Sequence, residues 1–503
     1  MSNPRNARRG ASSERGYIAV MFCLLLSGLV LFAGFAVDVG GWYAQASRIQ
    51  RAADAAALAG VVYMPDLTQA TTAARATATR NGFTHGGDIV VTVAAVSGNT
   101  HQLKVSIEDK KVQQYFSRIA INNPKIARAS TSEYVLPVPL GSPTNTLGNQ
   151  SNLDTQNLWA SISGPGTDKN NGDPYSTKCG AGQTSSGSPP TCTGNTGASG
   201  EYRTTGYLYS IEVPPAGVNQ TLTVQVWDAG NYERLSYANI ENADQGDVNT
   251  SFELFKPTLT PLDSTTYTDS TYSLNTKCVT GTGRWIIANE ANLLTYKNKF
   301  VTLCTVVVPA AGTYHLQVKS SAIPGVTDSG NGWNQFSLKA TLTGATQPAL
   351  FGYGDLSLFN NLQGQFGNLT ANFYLAQIGQ QYAGKSLTVS LFDPGDGASG
   401  TYFVNILKPG SVTTACSYGI RDATPVAANP CRIQTRTSTG TNTYNGKWLD
   451  ITLTIPTTYT CSTDCWWKVR YEFNSVTLGN SPNDRTVWTA EITGDPVHLV
   501  SAS

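Results

Sequence analysis

Charge is scarce in this 503-residue sequence: Asp, Glu, Lys and Arg make up 13% of it, and 34 basic against 33 acidic residues leave a net charge of +1. Nucleic acid is excluded as a partner, because binding phosphates needs a concentrated basic face. Histidine is nearly absent, with His85, His101, His315 and His498 in four separate contexts. His315 alternates with Tyr314 and Leu316 in a strand pattern, which suits surface or strand packing rather than proton transfer. There is no G-x-S-x-G elbow, no H-E-x-x-H and no C-x-x-C pair, so the commonest hydrolase and zinc signatures are missing. One phosphate-loop pattern occurs, "GQQYAGKS" from Gly379 to Ser386, but it runs straight into the strand-like "LTVSLFD". A working loop of that kind must open a helix whose N-terminus holds the phosphates. The sequence therefore reads as a non-enzymatic protein without a cofactor.

Long apolar runs are also lacking, with one exception. Tyr17 to Val37 holds 21 residues without a charge, about 31 Å of helix and enough for one hydrocarbon core. Ahead of it stand Arg5, Arg8, Arg9 and Arg15 against Glu14, which predicts a cytoplasmic N-terminus and an outward-facing remainder. A cleaved signal peptide ending near Val37, with Gly34 and Ala36 before the cut, is the competing reading. An uncleaved anchor is preferred, because the run exceeds an ordinary signal core and no polar region follows it. After Asp38 the helical spacing continues, with Trp42 and Tyr43 where an interfacial aromatic belt belongs. Ala46, Ile49, Ala53, Ala57 and Gly60 then form a stripe of small residues. Such a stripe lets a helix approach neighbours in a bundle or filament, or covers the chain's own sheet.

Of nine cysteines, Cys23 lies inside the apolar run and the other eight are spaced as close pairs. Cys179 with Cys192, Cys278 with Cys304, Cys416 with Cys431 and Cys461 with Cys465 read as a disulfide framework outside the cytoplasm.

The segment "GYIAVMFCLLLSGLVLFAGFAVDVGGWYAQASRIQRAADAAALAG", residues 16 to 60, resembles the N-terminal segment of TadG-type proteins of the tight-adherence (Tad/Flp) pilus assembly system. The likeness lies in Ala19 and Val20, the "VDVGGWY" at the membrane exit, and the "RIQRAADAAALAG" run. It implies membrane localisation, with other Tad/Flp assembly proteins or pilin-like helices as partners. Two features of relatives are not matched. The prepilin pattern G-xxxx-E has Met21 in place of Glu, and the D-x-S-x-S metal motif of von Willebrand A domains has Thr271 in the middle of "DSTYS".

Residues 66 to 80 predict a second helix capped by Asp66 and stopped by Asn81-Gly82. Two strands around Ser97 to Asn99, a helix over "VQQYFSRIAI" with Phe116 and Ile119 inward, and a strand over "ARASTSEYVLPV" complete a small head. Beyond Pro137 the composition turns to Pro, Gly, Ser, Asn and Thr with short β-runs, and a repeat emerges. "YLYSIEVPPAGVNQTLTVQVWDAGN" (207 to 231) aligns without gaps with "NFYLAQIGQQYAGKSLTVSLFDPGD" (372 to 396), and three later segments recur in the same order. The expected organisation is 1–16 cytoplasmic, 17–37 transmembrane, 38–136 a pseudopilin-like helix and α/β head, 137–350 a first β-domain and 351–503 a second. The fold class is thus α+β and membrane-anchored, with two tandem all-β sandwich, jelly-roll-like domains.

Calcium is the one ligand with supporting residues. Asp168, Asn170 and Asp173 surround a Gly in "DKNNGDPYS", and Asp393 and Asp396 end a strand, with Asp228 in the equivalent place. Asx-turns use the same residue types without metal. Trp333 and Trp466 are candidates for sugar stacking or for core. Two functions follow: a pilus assembly component or minor pseudopilin whose β-domains serve spacing or adhesion, or a surface module recognising glycan or protein, with the helix as a simple anchor.

Overall fold

Helix α1, Glu14–Val61, carries the apolar run and the small-residue stripe without interruption. It is long and apolar enough, by length and composition, to cross a membrane. The computed structural model describes residues 14–64, 66–96, 99–119, 121–134, 137–148, 158–179, 185–186, 191–192, 199–227, 248–258, 267–268, 273–277, 285–286, 290–296, 299–320, 332–362, 364–480, 482–493 and 497–500. These fall into two units, one of 14–134 with 497–500 and one of 137–493.

In the first unit α2, Leu67–Arg80, begins where the Asp66 carboxylate accepts the backbone N–H groups of Thr68 and Gln69, each at 3.0 Å. That satisfies two of the donors that every helix start leaves open. Strands β1, Ile89–Val96, β2, Asn99–Asp109, and β3, Ile126–Tyr134, pair antiparallel in sequence order. A fourth strand, Val497–Val500, returns from the far end of the sequence and pairs with β3. The 38–136 head therefore has a member some 360 residues beyond its expected limit. Helix α1 packs on α2, β2 and β3. Its Ile49, Ala53, Ala56 and Ala57 are buried, as are Ala70, Ala74 and Ala78 of α2 and Leu103, Val105 and Ile107 of β2. The helix expected over "VQQYFSRIAI" is instead a single 3-10 turn, Ser117–Ile119.

The second unit is β-rich, and its strands follow the repeat. Leu222, Val224 and Val226 in Thr221–Trp227 are buried on alternate positions, as are Leu387, Val389 and Leu391 in Ser386–Phe392. This is the period-2 pattern of half-buried strands. One sheet runs in the order Phe300–Val307, Thr221–Trp227, Trp333–Leu342, Leu158–Ser163, Asp355–Asn361, Asn483–Ile492, Ser386–Phe392, Trp448–Thr454. Read outward from its centre, the strands of one copy follow in the same order as their equivalents in the other. The second sheet repeats the arrangement, and at its centre the copies trade strands. Ala349–Tyr353, which leads into the second copy, pairs with Tyr207–Val213 of the first, while Pro139–Leu140, which leads into the first, lies beside Gly367–Gln377 of the second. Side chains of both sheets and both copies form one buried cluster. The expected tandem boundary at 350/351 is thus no break in the fold: it falls within strand Ala349–Tyr353, and both sheets run through it.

Candidate functional site

Two places gather the residues singled out from the sequence. The first is α1. Ala46, Ile49, Ala53 and Ala57 are buried inside their own unit. A Cβ at Gly60 would lie 2.6 Å from Leu103 Cδ2 and 2.9 Å from the Ala70 carbonyl oxygen, so only glycine fits there. The stripe is occupied by the chain's own α2 and sheet. Asp54 is held on the helix itself, its Oδ1 accepting from Gln50 Nε2 at 2.8 Å.

Asp38, which the sequence marked only as the end of the apolar run, has a larger part. Its carboxylate accepts the backbone N–H groups of Tyr115 at 2.9 Å, Phe116 at 2.8 Å and Ser117 at 2.6 Å. A carboxylate with three amide donors is a charge-assisted clamp, and it joins segments 77 to 79 residues apart. No local spacing signals it. It also accounts for the missing helix over 112–121: the donors that would begin the i→i−4 ladder are turned toward Asp38.

The second place lies in the β-unit and brings described members of both groups of proposed calcium ligands, Asn170 and Asp393, to either side of Gly446. Asp168 caps a 3-10 turn, Lys169–Asn171, by accepting Asn170 N–H at 2.9 Å. Gly172, at φ +91°, passes so close to the Arg485 backbone that a Cβ would collide with it. Asp173 is buried and accepts from Tyr207 Oη at 2.6 Å and from the N–H groups of Ser163, Ser176 and Tyr175. Burial pushes its carboxyl up, against the pull of those donors. Asn170 stands against Gly446, whose N–H donates to Asp393 Oδ1 at 2.7 Å. Asp396 accepts from Asn442 Nδ2 at 2.8 Å, and Asp484 accepts the N–H groups of Gly395 and Asp396 at 3.0 and 3.2 Å.

Burial, with the Asp396 charge adding to it, pushes the carboxyls of Asp393 and Asp484 well above the ordinary range; Arg485 pulls the other way. Arg485 donates from Nε to the Asn171 carbonyl at 2.7 Å, and its guanidinium lies 3.6 Å from the Trp333 ring centroid. Among the described residues no group of three or more His, Cys, Asp or Glu is placed to hold a metal ion. The loop 168–173 instead wedges one repeat copy against the other. Asp228 lies outside the described residues. One signal for Asp484 and Arg485 was available: the repeat places Asn334 and Gln335 at the same positions.

Two of the expected disulfides, Cys416–Cys431 and Cys461–Cys465, are formed. Cys179 and Cys304 are disulfide-bonded, while Cys278 and the side chain of Cys192 lie outside the described residues. His315 is buried between strands, stacked on Tyr267 at 4.2 Å, and burial lowers its pKa to about 4. The phosphate-loop pattern forms a 3-10 turn, Gln380–Tyr382, followed by strand Ser386–Phe392, so no helix end faces a phosphate. Trp466 is buried, and Trp333 is half-buried beneath Arg485.

No curated protein matches the chain. Among solved structures, a chain titled "Structure of infectious bursal disease virus Gx strain" is 12% identical over 71% of this chain and 70% of that one, with a TM-score of 0.08, too low to bear on the fold. Residues 16–78, which span α1 from the apolar run through the stripe and most of α2, match the family model described as "Putative Flp pilus-assembly TadE/G-like", and the N-terminal segment of this chain is of that type.

Proposed function

We propose that this chain is a non-enzymatic, single-pass membrane component of the Flp/Tad pilus assembly apparatus, a TadG-like assembly protein or minor pseudopilin. The observation that carries the reading is the family match over 16–78, which coincides with the one helix, among the described residues, long and apolar enough to cross a membrane. In this reading the N-terminus is cytoplasmic, and the β-unit projects outward for spacing or adhesion. The disulfides support an oxidising compartment. Partner pilin-type helices meet α1 through residues 17–37, because the stripe beyond Asp38 is already covered. Leu24, Leu25, Leu29 and Phe32 are bare of other protein there.

The test replaces residues 17–37 with an unrelated transmembrane sequence, leaving 38–61 intact because the first unit folds around it. Loss of pilus assembly, with the protein still inserted and folded, is expected. Assembly at wild-type level would remove the reading.

A further inference from the structure

The loop between β2 and β3 is tied to the membrane end of α1, and nothing in the pilus reading uses it. Three amide hydrogen bonds to Asp38 fix Tyr115, Phe116 and Ser117 beside the first residue past the apolar run. The Phe116 ring also rests on Gly34, inside the run: a Cβ at Gly34 would lie 2.7 Å from Phe116 Cγ. Yet Tyr115 is 65% and Phe116 51% exposed. Leaving two aromatic side chains in water costs burial free energy that a buried position would recover.

Their surroundings indicate what covers them. Residues 110–125 contain Lys110, Lys111, Arg118 and Lys125 and no Asp or Glu, and all four basic residues are exposed. In α1, Tyr43 is 73% exposed a little more than one turn beyond Asp38, and Trp42 packs edge-on against Phe35 at 6.3 Å. Exposed aromatics flanked by basic side chains, held at the depth where an apolar helix ends, have the chemistry of the lipid interface. Aromatic rings sit at the headgroup level there, and Lys and Arg reach outward to phosphates. We infer that the 110–125 loop is a second membrane contact, with Tyr115 and Phe116 set into the headgroup layer of an anionic bilayer and Lys110, Lys111, Arg118 and Lys125 against its phosphates. Asp38 then fixes both the loop and the angle at which the unit leaves the membrane. The inference rests on α1 spanning the bilayer.

The full chain reconstituted in phosphatidylethanolamine/phosphatidylglycerol vesicles tests it. An environment-sensitive fluorophore is placed on the native free thiol of Cys23, on Tyr115→Cys, or on Gln69→Cys, the last two in a Cys23→Ser background. Gln69 neighbours Ala70, which touches Gly60, 22 residues of helix beyond Asp38, or about 33 Å. Nitroxide lipids labelled near the headgroup should quench position 115 at least twofold more than lipids labelled deep in the chain. Position 23 should be quenched as well, and position 69 should not. Quenching at 23 but not at 115 overturns the inference while leaving the anchor standing. A blue-shifted but unquenched label at 115 overturns it in favour of a protein partner. No quenching at 23 removes the membrane span, and this proposal with it.

Discussion

Asp393 shows how a side chain that reads as a turn residue becomes a stability device once buried. It adopts φ +59° at the end of Ser386–Phe392, is buried, and its Oδ1 accepts from Gly446. Because burial raises its pKa well above the ordinary value, the folded chain binds more protons than the unfolded one above about pH 4. Its contribution is full below that pH and is lost as pH rises through the raised folded value. Asp393→Asn keeps the Gly446 contact and the left-handed backbone that Asn tolerates. The variant should melt near the wild-type temperature at pH 4 and above it at pH 8. Thermal scans by near-ultraviolet circular dichroism check this, and a constant offset at every pH would contradict the raised carboxyl. The sequence marked Asp393 and Asp396 together, three residues apart, but Asp484, the other carboxylate that crowds Asp393, is brought in only by the pairing of Ser386–Phe392 with Asn483–Ile492.

At the scale of elements, local patterning was largely readable. The helix from the apolar run through Gly60, the Asp66 cap and the alternation in β1 and β2 all rest on short-range spacing. The 3-10 turn at Ser117 escaped because its cause, Asp38, is distant in sequence. The same holds for Val497–Val500, whose placement beside β3 depends on the whole intervening chain. That strand covers an edge which would otherwise present unpaired N–H and C=O groups. Deleting residues 495–503 should raise amide exchange across Thr131–Tyr134 by at least about tenfold, an opening free energy lowered by roughly 1.4 kcal/mol. Exchange mass spectrometry reads it, and unchanged protection in β3 would show that the fourth strand adds nothing.

For the molecule as a whole, the repeat copies complete each other. Leu158–Ser163 pairs on one side with Trp333–Leu342 and on the other with Asp355–Asn361, so its first-copy and second-copy neighbours share one sheet. Further links cross the same seam: Arg203 pairs with Asp355, and Trp448 Nε1 donates to Glu201 at 2.7 Å. Either copy alone would expose two sheet edges and part of a common core. Residues 351–493 expressed alone should therefore form a dimer or aggregate rather than a folded monomer, as read by light scattering after size exclusion. A monomer with a cooperative melt would refute the interlocked arrangement.

By itself the sequence determined the properties that follow from spacing and composition: one apolar run long enough for a bilayer, the strand periods, the repeat, and an N-terminal segment of TadE/G-like type. Each is set by residues within a turn or a strand of one another, where period and propensity suffice. Tertiary structure alone decided that the small-residue stripe is covered by the chain's own sheet, that Asp38 clamps a loop, and that the copies exchange strands. Those outcomes depend on contacts between residues tens to hundreds of positions apart, and no local pattern records which distant donor or sheet edge a side chain or strand will meet.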